Sequence, residues 1–561
     1  MTRWFQRVPI RVFLWSILLV TAVSLWVFRP VLFNGFVRWD DHIYLAELER
    51  MGGFSWSSLV WMWTSVQPFY LQPIAWMTHL ADYQIWGLNA VGHHATNWIL
   101  HGVYVAFVGT LVWMLTGKVD PMRRVERLAL AMGISLVCGI HPLQVESVAW
   151  VSARNGLLCS VWMVAALGAY VRAVGHGERE RGMWWTTVAL YAAALLTKPF
   201  AVSLPLVMLA LDFYPLRRHV KRGWWWLVRE KWLLIVFSLA AAVEAVAAQP
   251  TLEGPRQYII GLRLLVAAHG MAFYVWKLMW PAWLSPFYPL SSRVSLRSAE
   301  FWPPVLFCIV VTAVAVLLRR RAPVLLAAWW SYLALLLPVS GLVQVGGQAV
   351  ADRYAYLAMV PILLVFGSGM LWVWRHVLVW RIMVLSVLVA GLPFLGLRTR
   401  EQIAVWHDDV SLWSAALSHF PNDPLANYNL TLALVREGRL TDARGPAERA
   451  VMYSDPRAPQ LAEARATLGV IYLKTRQYDE AVEQLRQAVA ADATLWAARY
   501  NLACAYARLG HLADAYKLLQ ELVAVQPEYT TLAARDGELK ALRDDPEYGA
   551  RFQVLVGAAK D

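Results

Sequence analysis

Two adjacent carboxylates, Asp40 and Asp41, stand in the stretch Phe36-Val37-Arg38-Trp39-Asp40-Asp41-His42-Ile43-Tyr44, directly after the first strongly apolar segment. A carboxylate beside a membrane exit is costly unless it is solvated or used, and at an apolar–aqueous boundary its pKa can be tuned for base work. An Asp-Asp in an ordinary loop is a solvated pair. Here the flanking Trp39 and Tyr44 and the neighbouring span favour chemistry, with either carboxylate as the base.

Three cations have the chemistry to hold an anion such as a phosphate: Arg353 in Asp352-Arg353-Tyr354, Lys198 between two apolar stretches, and Arg154 beside Asn155. Arginine forks two hydrogen bonds onto a phosphate, whereas lysine acts as a point charge. Each has a structural alternative: snorkelling for Lys198, a helix-end pair for Asp352 and Arg353, and a pair with Glu146 for Arg154. Glu146, His93, His94 and Tyr354 complete the polar set as groups that orient a substrate or a donor. His93, Asn97 and His101 share one helix face, a spacing that favours packing against a buried loop over a metal site, because no Glu-x-x-His or Cys partner joins them. A divalent ion shared by Asp40, Asp41 and His94 stays open as an alternative. There is no Gly-rich phosphate loop, nucleophile elbow or zinc-protease motif, which argues against nucleotide-driven transport and leaves no certain cofactor.

These residues must be positioned by membrane-spanning helices. The 561 residues are 59% hydrophobic and 16% charged, too apolar for a soluble globular protein. Apolar runs fall near 12–28, 95–116, 128–149, 156–174, 183–197, 199–214, 231–248, 303–318, 323–341, 355–373 and 380–397, eleven candidate spans. The basic start (Arg3, Arg7, Arg11) and the run after it read as a retained first span. The net charge of +13 belongs to residues 1–400, with 34 Lys/Arg against 16 Asp/Glu, while residues 401–561 hold 17 against 22. The positive charges cluster in short loops (Lys118 to Arg127, Arg172 to Arg181, Arg217 to Arg222, Arg319 to Arg321, Arg375 and Arg381). That pattern reads as cytoplasmic orientation and not as a nucleic-acid surface. The stretch 263–280 carries Arg263, His269 and Lys277 and reads as interfacial or re-entrant. Eleven crossings then place the loops 30–93, 141–154, 197–199, 249–297 and 341–356, and everything after about Arg398, on the extracytoplasmic side of a cytoplasmic (inner) membrane. The four cysteines lie far apart and indicate neither disulfides nor zinc.

Beyond residue 422 the chain becomes polar, alanine-rich and helical. Leu468-Gly469, Tyr472, Ala481, Leu485 and Ala488 recur as Leu502-Ala503, Tyr506, Ala515, Leu519 and Leu522, an offset of 34 residues. A degenerate earlier copy has Leu430, Leu434, Ala443 and Ala450, and the last helices cap the stack. The expected organisation is an all-α chain: a multi-span domain over 1–400, a connection over 401–422, and a tetratricopeptide-repeat α-solenoid over 423–561.

The order Trp39-Asp40-Asp41-His42-Ile43-Tyr44, Gln72-Pro73 with Thr78-His79, Gly92-His93-His94-Ala95-Thr96-Asn97, His141-Pro142-Leu143-Gln144-Val145-Glu146 with Arg154, Thr197-Lys198-Pro199 and Ala351-Asp352-Arg353-Tyr354, followed by such repeats, resembles bacterial relatives of the transmembrane and tetratricopeptide-repeat O-mannosyltransferases. The resemblance implies a glycosyltransferase C fold that takes a sugar from a polyprenyl-phosphate carrier at the outer leaflet. It also implies an essential acidic residue in the first outer loop, a role Asp40 or Asp41 inherits by position. Implied partners are the lipid-linked sugar donor, membrane lipid and a protein bound by the repeats, with no nucleic acid. The alternatives are a non-enzymatic scaffold that recruits partners through the repeats and a transporter of lipid-linked sugar, which would put its ionisable residues near the bilayer midplane.

Overall fold

The computed structural model describes residues 9–66, 70–119, 122–175, 180–248, 260–290, 294–295, 297–342, 348–376 and 380–557. Arg3, Arg7 and Arg179 of the basic clusters, and parts of the 249–297 and 341–356 loops, lie outside the described residues. The protein is all-α, with one two-stranded exception among those residues: Tyr288–Pro289 pairs antiparallel with Gln348–Val350, Tyr288 opposite Val350. The chain divides into two compact units, Met1–Leu412 and Trp413–Asp561, a division that falls inside the 401–422 segment.

In the first unit every one of the eleven apolar runs is helical. Among the described residues six helices are long and apolar enough to cross a membrane: Ile10–Phe33, Ala90–Thr116, Val151–Val174, Ala299–Leu317, Asp352–His376 and Trp380–Val405. Two bent pairs, Arg124–Ile140 with Pro142–Ala149 and Trp224–Glu230 with Trp232–Ala248, raise the number to eight. Pro199–Phe213 and Pro323–Val339 are apolar but shorter, and Arg181–Leu195 is 15 residues long. The protein is thus a multi-pass membrane protein. Ala90–Thr116 packs against Ile10–Phe28, Arg124–Ile140 and Arg154–Val174. Glycine lets these helices approach closely, since a Cβ on Gly139 would stand 2.0 Å from Ser24 Oγ.

Short helices fill the first loop. Asp41–Met51 begins after Asp40 and ends on Gly52 in the left-handed region (φ 65°). Trp56–Thr64 starts from a capping box between Ser55 and Ser58. Tyr44, Leu48, Met62, Trp76 and Leu80 form a small buried core that fixes these helices.

The second unit is a stack of helix pairs: Pro424–Arg436 with Leu440–Tyr453, Gln460–Lys474 with Tyr478–Ala491, and Trp496–Leu509 with Leu512–Val525. The small residues predicted from the repeat are buried where the helices cross, among them Ala443, Ala450, Ala481, Ala488 and Ala515. The turn in each pair uses one left-handed residue at an equivalent position, Gly438, Arg476 and Gly510. Tyr529–Arg535, Lys540–Arg543 and Tyr548–Gly557 close the stack.

Candidate functional site

The first loop is anchored to the segment Ile403 to His407 by the Asn34 side chain and the Gly35 backbone. Asn34 Nδ2 donates to the carbonyls of Ile403 (3.2 Å) and Trp406 (3.0 Å), and Gly35 N–H donates to His407 O at 2.8 Å. This delivers Trp39 into an aromatic cluster, its ring 5.3 Å from Trp150 and 5.8 Å from Phe287. The two carboxylates that follow have different surroundings. Asp41 is 1% exposed; its Oδ2 accepts from Val37 N–H at 3.0 Å, and its Oδ1 accepts from Ser152 N–H at 2.9 Å and from the Ser152 hydroxyl. Burial raises its pKa to about 6 against these stabilising hydrogen bonds. Asp40 is half-buried, and among the described residues its carboxylate accepts no side-chain or backbone hydrogen bond. Burial raises its pKa too, opposed by the positive charges of Arg353 and Lys198.

Those two cations line one pocket, about 360 Å³ including its open mouth, together with Ser147, Gly156, Phe200 and Tyr354. Arg353 follows the strand Gln348–Val350 in a 3₁₀ turn, Asp352–Tyr354, that is pinned by the Tyr288 hydroxyl on Asp352 Oδ1 (3.0 Å). Its backbone N–H donates to Glu146 Oε2 at 2.9 Å and its guanidinium donates to Glu146 Oε1. The guanidinium also lies 5.3 Å over the Trp150 ring and 5.0 Å over Tyr354. Trp150 therefore links the Asp40 side, through Trp39, to the Arg353 side. Lys198 Nζ donates to Asn155 Oδ1 at 3.1 Å, and a Cβ on Gly156 would sit 3.4 Å from the ammonium. Burial and the neighbouring Arg353 lower the Lys198 pKa to about 8.

Arg154, His93 and His94 lie elsewhere. Arg154 is fully buried and spent on structure: Nε on Asn97 Oδ1 (2.7 Å), one terminal nitrogen on His93 O (2.8 Å), the other paired with Asp82 at 2.6 Å and donating to Thr78 O. It is thus neither a pocket residue nor the partner of Glu146. His93 Nε2 bonds Gly87 O (2.9 Å), and His94 Nε2 bonds Gly35 O (3.2 Å). Among the described residues no three His, Cys, Asp or Glu side chains stand together as a metal-binding group, and Asp41 accepts from Val37 and Ser152. His101 bonds the Tyr356 hydroxyl and Gly139 O, so the His93, Asn97 and His101 face is packing, as its spacing suggested.

Tetratricopeptide-repeat family models match residues 410–461 and 472–535. The protein O-mannosyl-transferase TMTC4 of Homo sapiens is 23% identical over 426 residues, covering 66% of this chain and 56% of that protein. The Mus musculus protein of the same name is 23% identical over 433 residues, with the same coverage. A Caenorhabditis elegans protein O-mannosyl-transferase is 23% identical over 385 residues, 66% of this chain and 52% of that protein. Over two thirds of its length the chain is thus similar, at low identity, to proteins named protein O-mannosyl-transferases. It spans about half the length of the relatives it matches.

The structure adds residues that the sequence reading did not single out for the site. Asn155 connects Lys198 to the first loop: besides accepting from Lys198, its Nδ2 donates to Gln72 Oε1 (3.2 Å) and to the Tyr70 hydroxyl (3.1 Å), while Gln72 Nε2 donates to the Tyr44 hydroxyl (2.9 Å). Ser152 fixes Asp41, and Asp82 neutralises Arg154. The signal was present in Asn155 and Gln72, each a polar residue beside a motif residue, but not in Ser152. A second buried charge cluster joins Asp212, Arg218, Glu230 and Lys231, with Lys231 Nζ 2.5 Å from Asp212 and Arg218 reaching Asp212 (3.0 Å) and Glu230 (2.8 Å). The Arg217–Arg222 loop is therefore more than an orientation signal.

Proposed function

We propose that this protein is a membrane glycosyltransferase that moves a sugar from a polyprenyl-phosphate carrier to a hydroxyl of a protein acceptor, at the extracytoplasmic face. The observation that carries this reading is an unengaged carboxylate, Asp40, within electrostatic reach of Arg353 and Lys198, the two cations that line one pocket. Asp40 takes the proton of the acceptor hydroxyl as that oxygen forms a bond to the anomeric carbon. The bond from that carbon to the phosphate oxygen breaks, its electron pair leaves with the lipid phosphate, and the configuration at the anomeric carbon inverts. Charge grows on the leaving phosphate, so Arg353 and Lys198 favour the transition state over the bound donor. Glu146 orients Arg353 through both its backbone and its guanidinium. Asp41, tied to Ser152 and Val37, holds the loop that presents Asp40 and takes no proton from the acceptor. The relatives named O-mannosyl-transferases support the reaction class and a protein acceptor.

The test is glycoproteomics on cells with and without the protein, paired with transfer by the purified chain from a radiolabelled polyprenyl-phosphate hexose to a Ser/Thr peptide. A set of proteins that loses a hexose when the gene is removed, and Asp40-dependent labelling in vitro, is the expected result. An unchanged glycoproteome with no labelling by the purified chain would sink the proposal. A reporter fused at the C-terminus that works only in the cytoplasm would overturn the placement of the repeats.

A further inference from the structure

A group of neutral hydrogen-bonding side chains stands beside Lys198, one of the two cations of the pocket. Asn155 Nδ2, which has two hydrogens, faces three acceptors: the Tyr70 hydroxyl at 3.1 Å, Gln72 Oε1 at 3.2 Å and the Tyr44 hydroxyl at 3.5 Å. Its Oδ1 accepts from Lys198 at 3.1 Å. Both phenol oxygens therefore accept, Tyr44 also from Gln72 Nε2 at 2.9 Å, and among the described residues neither phenol O–H donates.

Backbone contacts already fix the segment that carries Tyr70 and Gln72. Leu71 N–H donates to Glu244 Oε1 at 2.8 Å, and Ile74 N–H donates to Leu196 O at 3.3 Å. Asn155 and Gln72 are buried and Tyr70 is half-buried, so polar groups left short of partners there cost free energy that a ligand recovers.

The chemistry of the group selects the ligand. A sugar hydroxyl both donates and accepts, which matches an amide with more acceptors than hydrogens and phenols with an O–H to give. An ionised phosphate only accepts, and Arg353 and Lys198 serve it. Position agrees with chemistry. In an inverting displacement the entering hydroxyl and the leaving phosphate stand on opposite sides of the anomeric carbon, so the hexose lies between the base and the cations. Lys198 forms one end of the group, and Asp40 is within electrostatic reach of Lys198, Tyr44 and Tyr70.

We propose that Tyr70, Gln72 and Asn155 form the subsite that holds the hydroxyls of the donor hexose, with the Tyr70 O–H as a donor to one of them. The assignment rests on the transfer reaction proposed above and adds to it the residues that read the sugar.

The experiment measures binding to the full chain in detergent of a fluorescent short-chain polyprenyl phosphate and of the same lipid carrying a hexose. The parent is expected to prefer the hexose-bearing lipid. Tyr70→Phe, which removes one O–H and keeps the ring, is expected to weaken that lipid about three- to tenfold and to leave the bare lipid phosphate unchanged. Among donors that each lack one sugar hydroxyl, one is expected to bind the parent and Tyr70→Phe equally. Equal affinity of the parent for the two lipids overturns the assignment. So does a Tyr70→Phe chain that binds both as the parent does, or that weakens both alike, since the phenol would then only support Lys198. A parent that prefers the hexose-bearing lipid yet transfers nothing would remove the reaction and leave the subsite standing.

Discussion

Ser152 donates both its backbone N–H, at 2.9 Å, and its hydroxyl to one oxygen of Asp41, while the carboxylate of Asp40, the preceding residue, accepts no hydrogen bond among the described residues. Adjacent carboxylates therefore have separable roles. Asp40→Asn is expected to lower transfer by about 10²- to 10⁴-fold with an unchanged unfolding temperature. Asp41→Asn turns an acceptor toward three donors into a group with an N–H₂ of its own and is expected to cost about 1–3 kcal/mol of stability. Transfer assays beside thermal unfolding distinguish the two, and equal effects on both readouts for both variants would refute the division.

Asp41 also makes stability pH-dependent. Its pKa is raised from 3.8 to about 6, so the folded chain holds a proton that the unfolded chain releases. This contribution is fully present below the unfolded pKa and is lost as pH rises through the folded one. The unfolding temperature is expected to fall between about pH 4 and about pH 7 in the parent, with a shallower fall in Asp41→Asn.

The rate has two limbs of its own. Transfer needs Asp40 ionised, and its pKa lies above the ordinary carboxylate value because of burial. It also needs Lys198 charged, and that ammonium gives up its proton near pH 8. A bell-shaped profile of kcat/KM is expected. Lys198→Arg should carry the alkaline limb above about pH 10, because a guanidinium stays charged there. An alkaline limb that does not move would remove Lys198 from the phosphate side.

Glu146 and Arg353 act as a unit. Arg353→Lys keeps the charge but loses the fork, and is expected to reduce kcat/KM by about 10²-fold. Glu146→Ala strands a buried guanidinium and is expected to cost about 3 kcal/mol as well as activity. Comparing KM for donor with unfolding temperature separates lost recognition from lost structure.

Arg154 gives the opposite expectation. Arg154→Met leaves Asp82 buried without its cation and should cost about 3–5 kcal/mol, while any folded fraction keeps the parent's donor KM. A raised donor KM in folded Arg154→Met would return this residue to the phosphate.

The helices and repeats were legible because hydropathy and the 34-residue spacing are properties of contiguous chain. The site was legible only in part, because its polar groups acquire partners from distant segments. Arg154 and Arg353 look alike as lone cations in outer loops; what separates them is that Asp82 meets one and Glu146 the other. Asp40 and Asp41 could not be ranked for the same reason, since Ser152, which decides between them, carries no motif of its own.

The cluster of Asp212, Arg218, Glu230 and Lys231 bears on biogenesis. Leaving the ribosome, the apolar helix Leu204–Phe213 carries the single charge of Asp212 near its C-terminal end, and the bent pair Trp224–Glu230 and Trp232–Ala248 carries Glu230 and Lys231 at its break. A charge entering lipid alone costs about 2.5–3.5 kcal/mol in translocon insertion at the centre of a helix, and less at a helix end, where these residues lie. Two acids and two bases that neutralise one another reduce that cost only when both helices are present. The stretch from Leu204 to Ala248 should therefore enter the bilayer as one hairpin, with Asp212 waiting at the translocon for Lys231 to be synthesised.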